Sequence, residues 1–211
     1  MRIAKLCLIL TFLFLALACI RQNEEEGKYL LIEDFQTEVS GGAKGTVDFA
    51  SGKGSSVKVS AASNPRHSGK QSLKVTFNAV PGGYIYIAKG LFLNASNAGW
   101  LIPSGAIDWT RYDAIAFYVY GTNSKAYIAF DLKDRDGELW RIKVHDNFKG
   151  WKQLICPFVE FLVRKDLQPD YADKNGTLDF PLRSFQFEPL APSKGTYYLG
   201  EVVLVRKEKD D

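Results

Sequence analysis

The stretch Ala126 to His145, AYIAFDLKDRDGELWRIKVH, decides the class of fold. Its first arm sets Ile128, Phe130 and Leu132 on one face and Tyr127, Ala129 and Asp131 on the other. Its second arm sets Trp140, Ile142 and Val144 against Arg141, Lys143 and His145. Alternation with a period of two is the signature of a half-buried strand rather than a helix. Asp136-Gly137 between the arms favours a tight hairpin turn. The stretch is therefore two antiparallel strands, each with an apolar face that must be buried against a second layer. The acidic residues Asp131, Asp134, Asp136 and Glu138 read as strand face and turn, because they lack the ligand spacing of a calcium-binding loop.

The same pattern continues on either side. In AIAFYVY (114–120), Ile115, Phe117 and Val119 oppose Ala116, Tyr118 and Tyr120, and in YIYIA (84–88), Ile85 and Ile87 oppose Tyr84 and Tyr86. Leu73, Val75 and Phe77 share one face of SLKVTF (72–77). Further strands are predicted at 29–35, 56–62, 151–156, 183–188 and 196–206, with turn chemistry at Asn64-Pro65, Pro81-Gly82-Gly83 and Asn175-Gly176. A turn or two of helix is expected at Phe158 to Arg164. About ten such strands predict an all-β fold, an antiparallel β-sandwich with little helix. No repeat or Pro/Ser linker interrupts residues 29–206, which read as one domain followed by a charged tail at 207–211.

The chain starts differently. Arg2 and Lys5 precede an apolar run, LCLILTFLFLALACI (6–20), in which only Thr11 is polar. It is shorter than the ~18–20 residues that span hydrocarbon, and small Ala16 and Ala18 stand just before Cys19. The segment resembles a bacterial lipoprotein signal, departing from the usual pattern in carrying Ala16 where leucine is common. The resemblance implies that residues 1–18 are a signal peptide, that Cys19 carries the lipid, and that 19–28 are lipidated cysteine and tether. The protein is then exported and held at the bacterial cell envelope by acylated Cys19 in the bilayer. Ile20, which is not aspartate, favours the outer membrane or cell surface over the inner membrane.

The formal charge of +3 falls nearly to zero once Arg2 and Lys5 leave, so no electrostatic pull toward nucleic acid remains and no nucleic-acid partner is expected. With Cys7 removed and Cys19 acylated, Cys156 has no disulfide partner, and in WKQLICPF it reads as a small buried hydrophobe. No catalytic residues emerge. His67 and His145 are the two histidines and belong to no Ser/His/Asp order or HExxH helix, and GGAKG and SGKGSS lack phosphate-loop spacing. The carboxylates suffice in number for a glycosidase, but an open sandwich face leaves them solvated rather than paired across a cleft.

The outward strand positions supply Tyr84, Tyr86, Tyr118, Tyr120, Tyr127, Asp131, Arg141 and His145. On one sheet these would make a platform of rings among hydrogen-bonding groups, suited to sugars.

The order of several segments carries a resemblance. Asp108-Trp109-Thr110-Arg111-Tyr112-Asp113 leads into AIAFYVYG, followed by AYIAFDLKDRDGELWRIKV, GWKQLICPFVEF, LRSFQFEP and GTYYLGEVVLV, with LIEDF and SGKQSLKVTF earlier. The succession resembles the family 11 carbohydrate-binding modules and the related complex I intermediate-associated protein family, both galactose-binding-like jelly rolls. It implies a concave sheet holding a β-glucan-type polysaccharide. Matching strands makes Tyr118, Tyr127, Asp131, Arg141, His145, Gln186 and Glu188 the glycan-binding candidates. Tyr118 and Tyr127 would stack on rings, Asp131 and Glu188 accept hydroxyl hydrogen bonds, and Arg141 and Gln186 donate them. Trp109 and Trp140 are assigned to structure. Such jelly rolls often hold a structural calcium, which here implies Glu33, Asp34, Ser68 and Glu201 as oxygen ligands, Gly200 departing from the usual acidic residue.

The expected function is a non-catalytic, lipid-anchored glycan-binding protein. An envelope protein-interaction or assembly module using the same sheet face is the alternative, with a protein partner, and a glycan-cleaving enzyme is the second alternative.

Overall fold

The computed structural model describes residues 27–207. The signal segment, Cys19 and the tether up to residue 26 lie outside the described residues, as does the tail beyond Lys207.

Twelve strands are present among the described residues: β1 (Tyr29–Glu33), β2 (Asp48–Gly52), β3 (Ser56–Ala62), β4 (Ser72–Ala79), β5 (Tyr84–Gly90), β6 (Tyr112–Thr122), β7 (Tyr127–Lys133), β8 (Leu139–His145), β9 (Lys149–Pro157), β10 (Leu162–Val163), β11 (Ser184–Pro189) and β12 (Ser193–Arg206). They form two six-stranded antiparallel sheets. The first has the order β3-β4-β12-β6-β9, with β1 also pairing β12. The second has the order β10-β8-β7-β11-β5-β2. The chain passes back and forth between the sheets, as in a jelly roll, and the β-sandwich expected from the alternation is what forms.

Every predicted strand is present; β2 and β10 are additional. DFASG has a single large apolar residue and β10 is two residues long, so neither carries an alternation to read. The helix expected over 158–164 is instead one 3-10 turn, Phe158–Glu160, capped by Phe161 and followed by β10. Arg164 N donates to Leu139 O at 2.8 Å, so this segment extends the second sheet beside β8 rather than coiling.

Inward faces of the two sheets interlock through rings. Phe117 of β6 lies 4.7 Å from Phe130 of β7 and 4.9 Å from Phe187 of β11, centroid to centroid. Each buried ring of this size contributes roughly 1.5–3 kcal/mol relative to an exposed one. Trp109 and Trp140 are buried, as assigned, and Cys156 is buried in the same core. One charged pair crosses this interior: Lys89 Nζ of β5 lies 2.7 Å from Glu33 Oε2 of β1, both almost fully enclosed.

Candidate functional site

The register of the second sheet aligns one residue from each of its six strands. Asp48 pairs with Ala88, Ala88 with Gln186, Gln186 with Asp131, Asp131 with Arg141, and Arg141 with Leu162. These residues share the face turned away from the core, because Ile87, Phe187, Phe130 and Ile142 between them point inward. A groove of about 440 Å³ runs over the part of this row from Asp48 to Asp131, lined also by Tyr84, Tyr86, Arg164, Gln186 and Glu188, with Arg141 beside it against Asp131 and Glu188. Small Ala88 lies on its floor.

The centre of the groove is a network of charges. Asp131, 1% exposed, accepts from Arg141 Nε at 2.7 Å on Oδ1, and from Arg141 Nη2 at 2.8 Å and Arg164 Nη1 at 2.9 Å on Oδ2. Arg141 Nη2 also donates to Glu188 Oε2, which Arg164 Nη1 approaches at 3.2 Å. Arg164 then forks onto Asp166, Nε to Oδ1 at 2.9 Å and Nη2 to Oδ2 at 3.0 Å. Burial works against the charge of Arg141, yet the bonds and charge of Asp131 outweigh it and hold the guanidinium above its ordinary pKa. Arg164 is raised for the same reason, through Asp166 and Asp131 against burial. Burial pushes the Glu188 carboxyl up despite both guanidiniums, while the Arg164 fork holds Asp166 down. Two cations and three carboxylates leave the floor with no excess positive charge, so it suits a neutral ligand better than an acidic one.

Aromatic side chains flank this floor. Tyr84 is 47% exposed, and Tyr86 Oη donates to Asp48 Oδ1 at 3.4 Å. Burial first, then the Asp48 charge, raises the Tyr86 phenol. Tyr127, 48% exposed, stacks on the cross-strand His145 at 4.6 Å, and His145 Nε2 lies 3.0 Å from Lys125 O. This pair lies farther along the same face, toward the opposite end of β7 from Lys133.

Of the expected site residues, Asp131, Arg141, Gln186 and Glu188 come together, and Tyr127 and His145 share their face. Asp131 is not an open hydroxyl acceptor, since both its oxygens are taken by guanidinium; it positions Arg141 and Arg164. Tyr118 does not join them. It lies on β6 in the first sheet, opposite Gln153 of β9, and its ring stacks on His67 at 3.6 Å. Tyr120 is on that sheet too, against Trp151 at 5.6 Å. Strand alternation separates inside from outside but does not say which sheet a strand joins, hence the misplacement. Arg164, Asp48 and Tyr86 complete the groove. Of these, Tyr86 was legible as an outward ring, whereas Arg164 follows a two-residue strand with no pattern of its own.

Of the oxygen ligands expected for calcium, Ser68 and Glu201 meet, whereas Glu33 is turned toward a lysine. Glu33 Oε1 accepts from Phe35 N at 2.7 Å and from Asp34 N at 3.1 Å, while Oε2 faces Lys89. Asp34 Oδ1 accepts from Gln36 N at 2.9 Å. Glu201 bonds His67 Nδ1 at 2.7 Å and accepts from Ser68 Oγ. A buried ammonium already compensates Glu33, so this set does not fit a calcium ion. Among the described residues, the set of three acidic, histidine or cysteine groups with ligand atoms within 4.8 Å is Asp136, Asp173 and Asp179, and Arg135 pairs with two of them. Asp134, fully buried, accepts from Asp136 N at 3.1 Å, Glu138 N at 2.8 Å and Trp140 Nε1 at 3.0 Å, which makes it the organiser of the hairpin turn.

Comparison with known proteins follows the same lines. The family profile described as carbohydrate binding domain (family 11) matches residues 22–206. The family 11 carbohydrate-binding module from Clostridium thermocellum, in complex with a β-1,3-1,4-mixed-linked tetrasaccharide, is 22% identical with a TM-score of 0.68, over 86% of this chain and 98% of that one. The module of the cellulosomal cellulase Lic26A-Cel5E of the same organism is 21% identical with a TM-score of 0.65, over 87% and 98%. At such identities the likeness is one of fold. A mannan endo-1,4-beta-mannosidase of Bifidobacterium adolescentis is 29% identical over 86 residues, 39% of this chain and 9% of that protein. The chain thus spans under a tenth of that curated relative's length.

Proposed function

The chain belongs to the family 11 carbohydrate-binding domains, a non-catalytic family, and from that footing we propose that its second sheet holds a neutral β-glucan-type polysaccharide for enzymes or transporters other than itself. The observation that carries this reading is the groove on the outer face of the second sheet, with charged donors and acceptors along its floor and exposed tyrosines on the same face. Sugar rings present apolar C–H faces to the tyrosines and hydroxyls to Arg141, Gln186 and Glu188. The β-1,3-1,4-mixed-linked tetrasaccharide held by the Clostridium relative supports β-glucan as the ligand class.

We propose further that Cys19 carries a lipid anchoring the protein to the cell envelope, a reading supported by the charged start, the apolar run and A-L-A before the cysteine. Cys19→Ala should abolish incorporation of labelled palmitate and release the protein from the membrane fraction; unchanged labelling overturns the anchor.

The groove is tested by affinity electrophoresis in gels containing soluble mixed-linked β-glucan. The wild-type protein should be retarded. Arg141→Ala, which leaves the groove residues Asp131 and Glu188 undercompensated, should lose at least tenfold in affinity, about 1.4 kcal/mol. Absence of retardation across soluble glucans, with recovery of a stable protein partner instead, overturns the glycan reading in favour of an assembly role.

A further inference from the structure

Phe92 stands outside every role assigned so far. It follows β5 in the segment Leu91–Asn94, lines the groove, and is 78% exposed. No packing in the core uses its ring. Its backbone has φ 57°, in the left-handed region where a bulky residue is strained. The segment is nonetheless fixed on both sides. Leu91 N donates to Arg183 O at 2.7 Å, Gly90 N to Ala98 O at 2.7 Å, and Asn94 N to Asp48 Oδ2 at 2.7 Å. The Arg183 guanidinium lies over the ring, 5.0 Å from its centroid. A ring with a cation at one face and this much exposure keeps its other face for a ligand.

We infer that Phe92 forms a sugar-stacking subsite at the rim of the groove, taking the apolar face of one neutral hexopyranose unit, with Arg183 as the residue that positions the ring. The inference rests on the glycan reading of the groove and adds a contact that neither the strand pattern nor the floor network supplies. An aromatic platform held before binding costs little ordering when the ligand arrives, and that is what bonds on either side of a strained residue achieve. The guanidinium limits rotation of the ring without occupying the ligand face.

The test is calorimetric titration with soluble mixed-linked β-glucan oligosaccharides, paired with melting temperatures. Phe92→Ala should bind about tenfold more weakly with its melting point unlowered, and Phe92→Trp should restore affinity. Phe92→Gly should lose affinity to the same degree yet melt about 2–4 °C higher, because glycine relieves the positive φ. A purely structural role for the ring would move both readings downward together. Arg183→Ala should weaken binding by about threefold, and Arg183→Lys should recover part of it. If the wild type binds the oligosaccharides and Phe92→Ala binds equally well, the subsite is overturned and the groove stands. If the wild type binds none of them, the glycan reading itself falls and the subsite with it.

Discussion

Asp131 and Cys156 mark two ways in which a single side chain is removed from chemistry. Asp131 is silenced by partners: three charge-assisted bonds from Arg141 and Arg164 fill its oxygens. Cys156 is silenced by burial, which pushes its thiol up to about 12, with the nearby Glu160 charge acting in the same direction. At pH 8 such a group stays almost wholly in the thiol form, and the thiolate is the reactive species. Iodoacetamide at pH 8 should therefore leave Cys156 unmodified in the folded protein and alkylate it after denaturation, as read by peptide mass. Alkylation of the native protein at the denatured rate would sink this account. The fate of Cys156 was legible in WKQLICPF, where a strand pattern buries it. That of Asp131 was not, because nothing local to residue 131 announces that Arg164, far along the chain, will reach it. Tyr118 failed for a related reason. Its outward facing was correct, and only pairing with β9 and β12 reveals that the face belongs to the other sheet.

At the scale of elements, the connection from β6 to β7 shows how one carboxylate can set a strand junction. Asn123 and Lys125 both have positive φ, at 59° and 62°, a conformation that costs backbone strain. Asp146, just past β8, is almost fully buried and gathers the segment. Its Oδ2 accepts from Ser124 Oγ at 2.6 Å, Ser124 N at 3.1 Å and Thr122 Oγ1 at 3.1 Å, and its Oδ1 from Asn123 N at 3.1 Å. Burial alone would raise the carboxyl, but these bonds, led by Ser124, outweigh it and hold the pKa below the ordinary value. A lowered folded pKa means the stabilisation is complete above the unfolded value of about 4 and is lost as pH falls through the folded value. Asp146→Asn should accordingly cost about 2 kcal/mol at pH 7, with the gap to wild type narrowing below about pH 4 and closing once the folded carboxyl is protonated. Urea titrations at pH 7 and pH 3 check this; a gap that widens in acid contradicts it. The flanking strands were readable because alternation is a local property of seven to eleven residues. The junction was not, since Asp146 acts across more than twenty positions.

The described residues form two sheets whose faces must meet in one orientation, and the apolar core alone leaves that orientation loosely specified, because rings and branched chains can repack at modest cost. The Glu33–Lys89 pair supplies a polar constraint between them. Glu33 comes from β1 in the first sheet and Lys89 from β5 in the second, and Lys89 Nζ also donates to Thr46 O at 3.0 Å. This pair was within reach of the sequence, since Ile85, Ile87 and Lys89 continue one alternation and so place an ammonium on the core face. Where the family resemblance implied calcium at Glu33, a lysine stands beside its carboxylate. Removing one partner leaves an uncompensated buried charge, whereas neutralising both leaves none, provided the acceptor of the Phe35 and Asp34 N–H groups is kept. Lys89→Met should therefore destabilise the protein by about 3–5 kcal/mol, and Lys89→Met combined with Glu33→Gln, which keeps a side-chain oxygen for the Phe35 and Asp34 N–H groups, should recover most of that loss. The recovery, measured by denaturant unfolding, separates the charge from its packing: if the double variant is as unstable as the sum of the two single ones, the pair is not what joins the sheets. Should stability return but glycan affinity fall, the pair acts through orientation, setting how the grooved sheet sits on its partner.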